Sequence, residues 1–87
     1  MNATTTATVQ VTVTDRFTGT ELFTSPADSI HHASTILKRE VHTWSGDYRY
    51  TRDAKGSDPS EGFHAFDVWK VVDGDLVEVV ATAHIQA

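Results

Sequence analysis

Three groups of side chains in this sequence have the types and spacing to do chemistry: five histidines, a pair of acids on neighbouring predicted strands, and a run of alternating tyrosines and arginines. The histidines are His31, His32, His42, His64 and His84. His31 and His42 share a predicted helix face but are separated by about 16 Å at ~1.5 Å per residue, too far to hold one metal ion. His31 and His32 are adjacent and diverge by roughly 100° on a helix. No His-x-x-x-His pair exists, and no third ligand lies nearby, so the histidines read as solvated rather than metal-binding. Asp67 and Glu78 are expected to be neighbours on one sheet face. Two carboxylates are the minimum for acid–base hydrolysis, although solubilising charge is the simpler role. The Gly-x-Ser-x-Gly nucleophile elbow, a phosphate-binding glycine loop and a calcium loop are all missing.

The run "DYRYTRDAK" interleaves Tyr48 and Tyr50 with Arg49 and Arg52, and Lys38 and Arg39 lie on the preceding helix. Aromatic and basic alternation on a strand is how sheets bind single-stranded nucleic acid, so these six residues form one candidate interface. A solvated edge strand that uses arginines against aggregation has the same pattern.

These groups must be carried by a small number of elements. "TATVQVTVT" alternates Val9, Val11 and Val13 with polar residues, the mark of a half-buried strand. "RFTGTELF" turns at Thr18-Gly19 and returns through Leu22 and Phe23, predicting a hairpin. In "SPAD", Ser25 suits a helix cap, Pro26 the first helical position and Asp28 a capping-box acid. Ile30, Ala33, Leu37, Val41 and Trp44 then recur at helical spacing, with Ile36 on the flank, and Gly46 is a natural stop. The spacing predicts a helix over Pro26 to Thr43. "DYRYTR" reads as a strand, residues 53–61 as an exposed loop around Gly56 and Pro59, and residues 62–72 and 75–85 as two further strands. The expected architecture is a single α+β domain over residues 1–87 with residues 1–6 as a frayed lead-in. It has two layers, an antiparallel sheet of about five strands in the order β-β-α-β-β-β, with one helix on one face.

One helix covers one face of a sheet, and the stretch "FDVWKVVDGDLVEVV" has large apolar residues at both parities. Asp73-Gly74 favours a two-residue hairpin loop with Val72 opposite Asp75. Phe66, Val68, Val77, Val79, Ala81, Ala83 and Ile85 then face the core. Phe63, Ala65, Asp67, Trp69 and Val71 face away, beside Leu76, Glu78, Val80, Thr82 and His84. A three-residue loop with Gly74 as a bulge instead pairs Trp69 with Val77 and Asp67 with Val79, sending Trp69 into the core. With the two-residue loop, Phe63, Asp67, Trp69 and Glu78 form an acidic-rimmed apolar patch suited to contacting a protein. The alternative is that loops or the first hairpin close over this face as a second small core.

Composition limits the function classes. Eighty-seven residues without cysteine exclude disulfides, zinc-thiolate sites and thiol nucleophiles. No apolar run is long enough for a membrane span, and "MNATTTATVQ" lacks the basic and apolar regions of a signal peptide, so a soluble cytoplasmic protein is expected. The net charge of −5 opposes non-specific nucleic-acid binding and suits a basic partner surface. Charge is also segregated. Residues 38–55 hold five bases (Lys38, Arg39, Arg49, Arg52, Lys55) against three acids, whereas residues 56–87 hold Lys70 alone against six acids.

A hairpin, a helix, "GDYRYTRD", a glycine-containing loop and "EGFHAFDVWKV" together resemble small phage-encoded anti-CRISPR proteins, over Ser25 to Val72. The resemblance lies in the order of elements and transfers no functional residue. It implies a compact α+β inhibitor without catalysis that blocks a host defence complex by occupying one of its surfaces. The expected function is therefore a non-enzymatic protein-binding module needing no cofactor or metal. Single-stranded nucleic-acid binding is the alternative, and a homodimer through the open sheet face is compatible with either.

Overall fold

A computed structural model describes residues 9–87; the lead-in expected at residues 1–6 lies outside the described residues. The chain runs β1 (Val9–Asp15), β2 (Glu21–Ala27), α1 (Ile30–Thr43), β3 (Tyr48–Asp58), a 3₁₀ turn (Pro59–Glu61), β4 (Phe63–Val72) and β5 (Asp75–Gln86). All neighbouring strands are antiparallel, in the spatial order β2-β1-β5-β4-β3, and α1 packs across one face. The expected two-layer α+β fold is the one observed.

The core follows the predicted periodicities. Val9, Val11 and Val13 of β1 are buried, as are Ala33, Leu37 and Val41 of α1, with Ile30, Ile36 and Trp44 packed beside them. Val68, Ala81, Ala83 and Ile85 complete the floor under the helix. Alanines at positions 33, 81 and 83 remove bulk where α1 crosses the sheet, so the backbones approach closely and Leu37 is left with no exposed surface.

The helix begins later than Pro26. Residues 21–27 pair with β1, placing Pro26 on an edge strand opposite Gln10, where a proline is tolerated. Ala27 is buried in the core, so sheet pairing outcompetes the local capping signal in "SPAD". Ser29 is the N-cap instead: its Oγ accepts the His32 N–H at 3.0 Å. His32 returns the favour to the preceding turn, its Nδ1 accepting the Asp28 N–H at 3.0 Å.

The segment 53–61 is also more ordered than a loop. β3 continues to Asp58, and residues 54–57 bulge out between the pairs Asp53–Ala65 and Asp58–Phe63. Ser57 pins the bulge: its Oγ accepts the Ala65 N–H at 2.8 Å and donates to the Asp53 carbonyl at 2.7 Å. A 3₁₀ turn then ends at Gly62, whose φ of +72° favours glycine.

The β4–β5 hairpin has the two-residue loop. Val72 pairs with Asp75 and Val71 with Leu76, with Asp73 at φ +52° and Gly74 at φ +84°, as a type I′ turn requires. The register then shifts twice on β5. Val77 is the extra residue at the first shift, leaving Lys70 opposite Glu78, and Val80 at the second, leaving Val68 opposite Ala81. Two single-residue shifts restore the original parity, so Val68, Ala81, Ala83 and Ile85 reach the core as predicted. At and between the shifts the prediction fails: Val77 is exposed rather than buried, Val79 pairs with Trp69 on the face away from the helix rather than entering the core, and Val80 packs against the core.

Candidate functional site

The shifts on β5 redistribute the predicted patch. Glu78 now pairs with Lys70, next to Trp69 but on the opposite face, so it leaves the patch and ceases to be a neighbour of Asp67, which pairs with Thr82. The carboxylate pair considered for acid–base chemistry is therefore not assembled. Trp69 does stand on the face away from the helix, beside Val79, and it is half-buried. Its Nε1 donates to Thr51 Oγ1 at 2.9 Å, which ties the indole to β3. Phe63, at the far end of the same strand, stacks on His84 with ring centroids 5.2 Å apart and is also half-buried. Asp67 lies between them.

The reverse face is therefore partly satisfied from within. Ala65 and Val71 on that face are buried outside the main core, Ala65 beneath the bulge held by Ser57. Toward the other edge the face is polar, with Gln10, Thr12 and Thr24 bonded to one another.

Bare apolar surface occurs elsewhere. The large hydrophobic residues that stay exposed among the described residues are Phe17, Leu22, Val72, Leu76 and Val77, and they gather at one end of the sheet. The register places them there. β1 stops pairing with β5 at Asp15–Ala81 and β3 stops pairing with β4 at Tyr48–Lys70. The last backbone bonds from neighbours are Arg16 N–H to the Val80 carbonyl at 3.1 Å and Val71 N–H to the Asp47 carbonyl at 2.9 Å. From Val72 to Val79 the hairpin has no flanking strand and projects as an arm. Described residues span 52 × 26 × 24 Å, an elongation consistent with a 12-residue strand of about 40 Å. Val72, Leu76 and Val77 lie on this arm together with the exposed acids Asp73, Asp75 and Glu78.

Phe17 sits beside the arm's base, in the β1–β2 turn. Asp15 builds that turn by accepting the Phe17 N–H at 2.8 Å and the Thr18 N–H at 3.0 Å through Oδ1. These bonds, with Thr18 first and Phe17 second, hold the Asp15 carboxyl below its ordinary value by favouring the charged form. Leu22 shares a shallow concavity with Glu40, Trp44, Ser45 and Tyr48 at the C-terminal end of α1. Alternating periodicity could not reveal this site. Its signal is the excess length of the last two strands over the strands available to flank them.

The nucleic-acid candidates separate into cations and aromatics. Lys38, Arg39, Arg49 and Arg52 are exposed. Lys38 and Arg49 line one groove between α1 and β3, with Val41, His42 and Tyr50. Arg39 lines an adjoining concavity that shares Lys38 and His42, and Arg52 points its guanidinium toward His64 Nδ1 at 3.5 Å. Tyr48 and Tyr50 face the helix side instead. Tyr48 meets Trp44 edge-on at 5.3 Å and Tyr50 meets Phe66 edge-on at 5.7 Å, so both rings are half-buried against the core and do not form a free stacking platform.

Among the described residues, no group of three or more histidines and acids is placed to hold a metal ion, and no helix is long and apolar enough to cross a membrane. His64 and His84 fall on opposite faces of β4 and β5, as the preferred register implies. No family model, curated protein or solved structure matches this chain.

Proposed function

We propose that this chain is a non-enzymatic protein-binding module that works by occupying a surface of its partner. The observation that carries the reading is the gathering of exposed Phe17, Leu22, Val72, Leu76 and Val77 at the end where the β4–β5 arm leaves the sheet. Small soluble domains seldom leave several large apolar side chains uncovered together unless they meet something. Here the apolar residues are edged by Asp73, Asp75 and Glu78, which suits a partner whose hydrophobic contact is rimmed by basic residues. Trp69, anchored to Thr51 at the arm's base, extends the contact onto the open face. A cytoplasmic inhibitor of the anti-CRISPR kind, covering a functional surface of a host complex, is the form of this activity that the order of elements suggests.

The test is affinity capture from the source cell's lysate by the wild-type chain and by Leu76→Asp/Val77→Asp. The wild type retains a partner that the double variant loses; equal capture by both would remove the arm from the interface.

The runner-up is single-stranded nucleic-acid binding through Lys38, Arg39, Tyr48, Arg49, Tyr50 and Arg52. The exposed cations favour it and the packed tyrosines oppose it. It requires a gel shift at low salt that weakens steeply as salt rises.

A further inference from the structure

The two charged surfaces of this chain are complementary to each other and are not satisfied within the molecule. Among the described residues no lysine or arginine lies within 4.0 Å of a carboxylate oxygen; the one close contact of this kind is His32 Nδ1 with Asp28. The cations Lys38 and Arg49 flank a groove of about 240 Å³ whose lining holds His42, Val41 and Tyr50 but no acid. The adjoining concavity adds Arg39, again without an acid. The acids Asp73 and Asp75 bracket the tip of the arm, with Glu78 behind them and exposed Val72, Leu76 and Val77 alongside. The arm is a two-stranded projection whose tip lies beyond the last pairs made by β1 and β3, and its acids are exposed.

From this we infer that a second copy of the chain docks its arm in the groove between α1 and β3. The inference rests on the arm being a contact surface. The tip places carboxylates against Lys38, Arg39 and Arg49, while Val72, which shares its face of the hairpin with Asp75, covers the apolar stems of those side chains and the Tyr50 ring. A foreign acidic segment could satisfy the groove's charge equally well. The second copy is favoured because the complementary acidic and apolar surface is already present on this chain. Single-stranded nucleic acid is disfavoured because both tyrosine rings are held by the core. The contact joins two different patches, so it closes reciprocally into a dimer or continues head to tail. Self-association then competes with the partner for the arm, and the free arm becomes more abundant on dilution.

Charge exchange tests this. Sedimentation velocity at low and high salt is compared for the wild type, for the groove variant Lys38→Glu/Arg49→Glu and for the arm variant Asp73→Lys/Asp75→Lys. All four positions are exposed, and thermal melts matching wild type establish that each variant is folded. The wild type associates at low salt and weakens by at least about tenfold at high salt, as expected for screened charge pairs. Each variant alone is monomeric, and an equal mixture of the two associates again, because the acidic arm of one meets the cationic groove of the other. A wild type that stays monomeric at low salt up to its solubility limit overturns the inference while leaving partner capture intact. Folded variants that associate as the wild type does, or a mixture of folded variants that fails to associate, also overturn it. So does an oligomer that Trp69→Asp dissociates and both charge variants leave unchanged, which would place the contact on the open sheet face. A wild type that stays monomeric at low salt yet binds a labelled single-stranded oligonucleotide, with binding lost in Lys38→Glu/Arg49→Glu, assigns the groove to nucleic acid instead.

Discussion

Within β5, the half that lies under α1 presents Ala81, Ala83 and Ile85 to the helix, whereas the half beyond it carries Leu76, Val77 and Val79 where no element lies on top. The strand places alanines at 81 and 83 where the helix crosses and buries Ile85 beside them, whereas Leu76 and Val77 stay exposed. A chain optimised only for its own core would be expected to cover Leu76 and Val77 as well, since a buried Leu or Val contributes about 1.5–3 kcal/mol and an exposed one contributes little. The two halves also differ in regularity. Residues 81–86 pair with both β1 and β4, while both register shifts fall at residues 77 and 80. Bulges twist an unflanked strand and discourage edge-to-edge pairing, which keeps an apolar arm from aggregating by sheet extension. The difference teaches that one half of the strand stabilises the fold and the other is available for contact.

That contrast can be broken from either side. The largest effect on stability is expected at Leu37, fully buried over the paired half: Leu37→Ala lowers unfolding free energy by about 2–5 kcal/mol, measured by chemical denaturation. A loss below about 1 kcal/mol would mean the core under α1 is looser than its burial implies. Trp69→Ala, at the boundary between the halves, removes a half-buried ring and its bond to Thr51. The expected cost is about 1–2 kcal/mol with unfolding still cooperative and partner binding weakened. Loss of cooperativity would instead assign Trp69 to the structural half. Ser29→Ala removes the helix cap and costs about 1 kcal/mol, whereas Ser25→Ala, on the edge strand, is close to neutral. Equal effects at the two serines would move the start of the helix.

A smaller effect is expected at the β1–β2 turn. The Asp15 carboxyl is held below its ordinary value by the Thr18 and Phe17 N–H groups, so the turn gains from the charged form at neutral pH. That contribution is complete above the usual carboxylate range and is lost as pH falls through the lowered value. Amide resonances of Phe17 and Thr18 should titrate with a midpoint below that of an unperturbed aspartate, and Asp15→Ala should abolish the titration. A midpoint at or above the ordinary value would show that the turn does not hold Phe17 in place.

Much of this division was legible in the residues and part was not. The valine alternation of β1, the stripe from Ile30 to Trp44 and the Asp-Gly turn are local signals, and each produced its element. The helix start was misread because the pairing of residues 21–27 with β1 is a non-local interaction that outweighs the cap signal at Ser25. Ala81, Ala83 and Ile85 are core members as expected, because two one-residue shifts cancel in parity, whereas Val77 and Val79 are not. Glu78 and Val77 were misplaced for the same reason: they lie between or beyond shifts that nothing in "VEVVA" encodes locally. The arm depends on which strands run out first, and that depends on the pairing order of the whole sheet.

The most direct test of the division between a structural and a contact half is Leu76→Asp/Val77→Asp, examined for thermal stability and for partner capture. The account predicts a melting temperature within about 4–8 °C of wild type, since two exposed substitutions each usually change stability by less than about 0.5 kcal/mol, together with at least a tenfold loss of captured partner. A variant that melts far below wild type, or one that captures the partner undiminished, would contradict it.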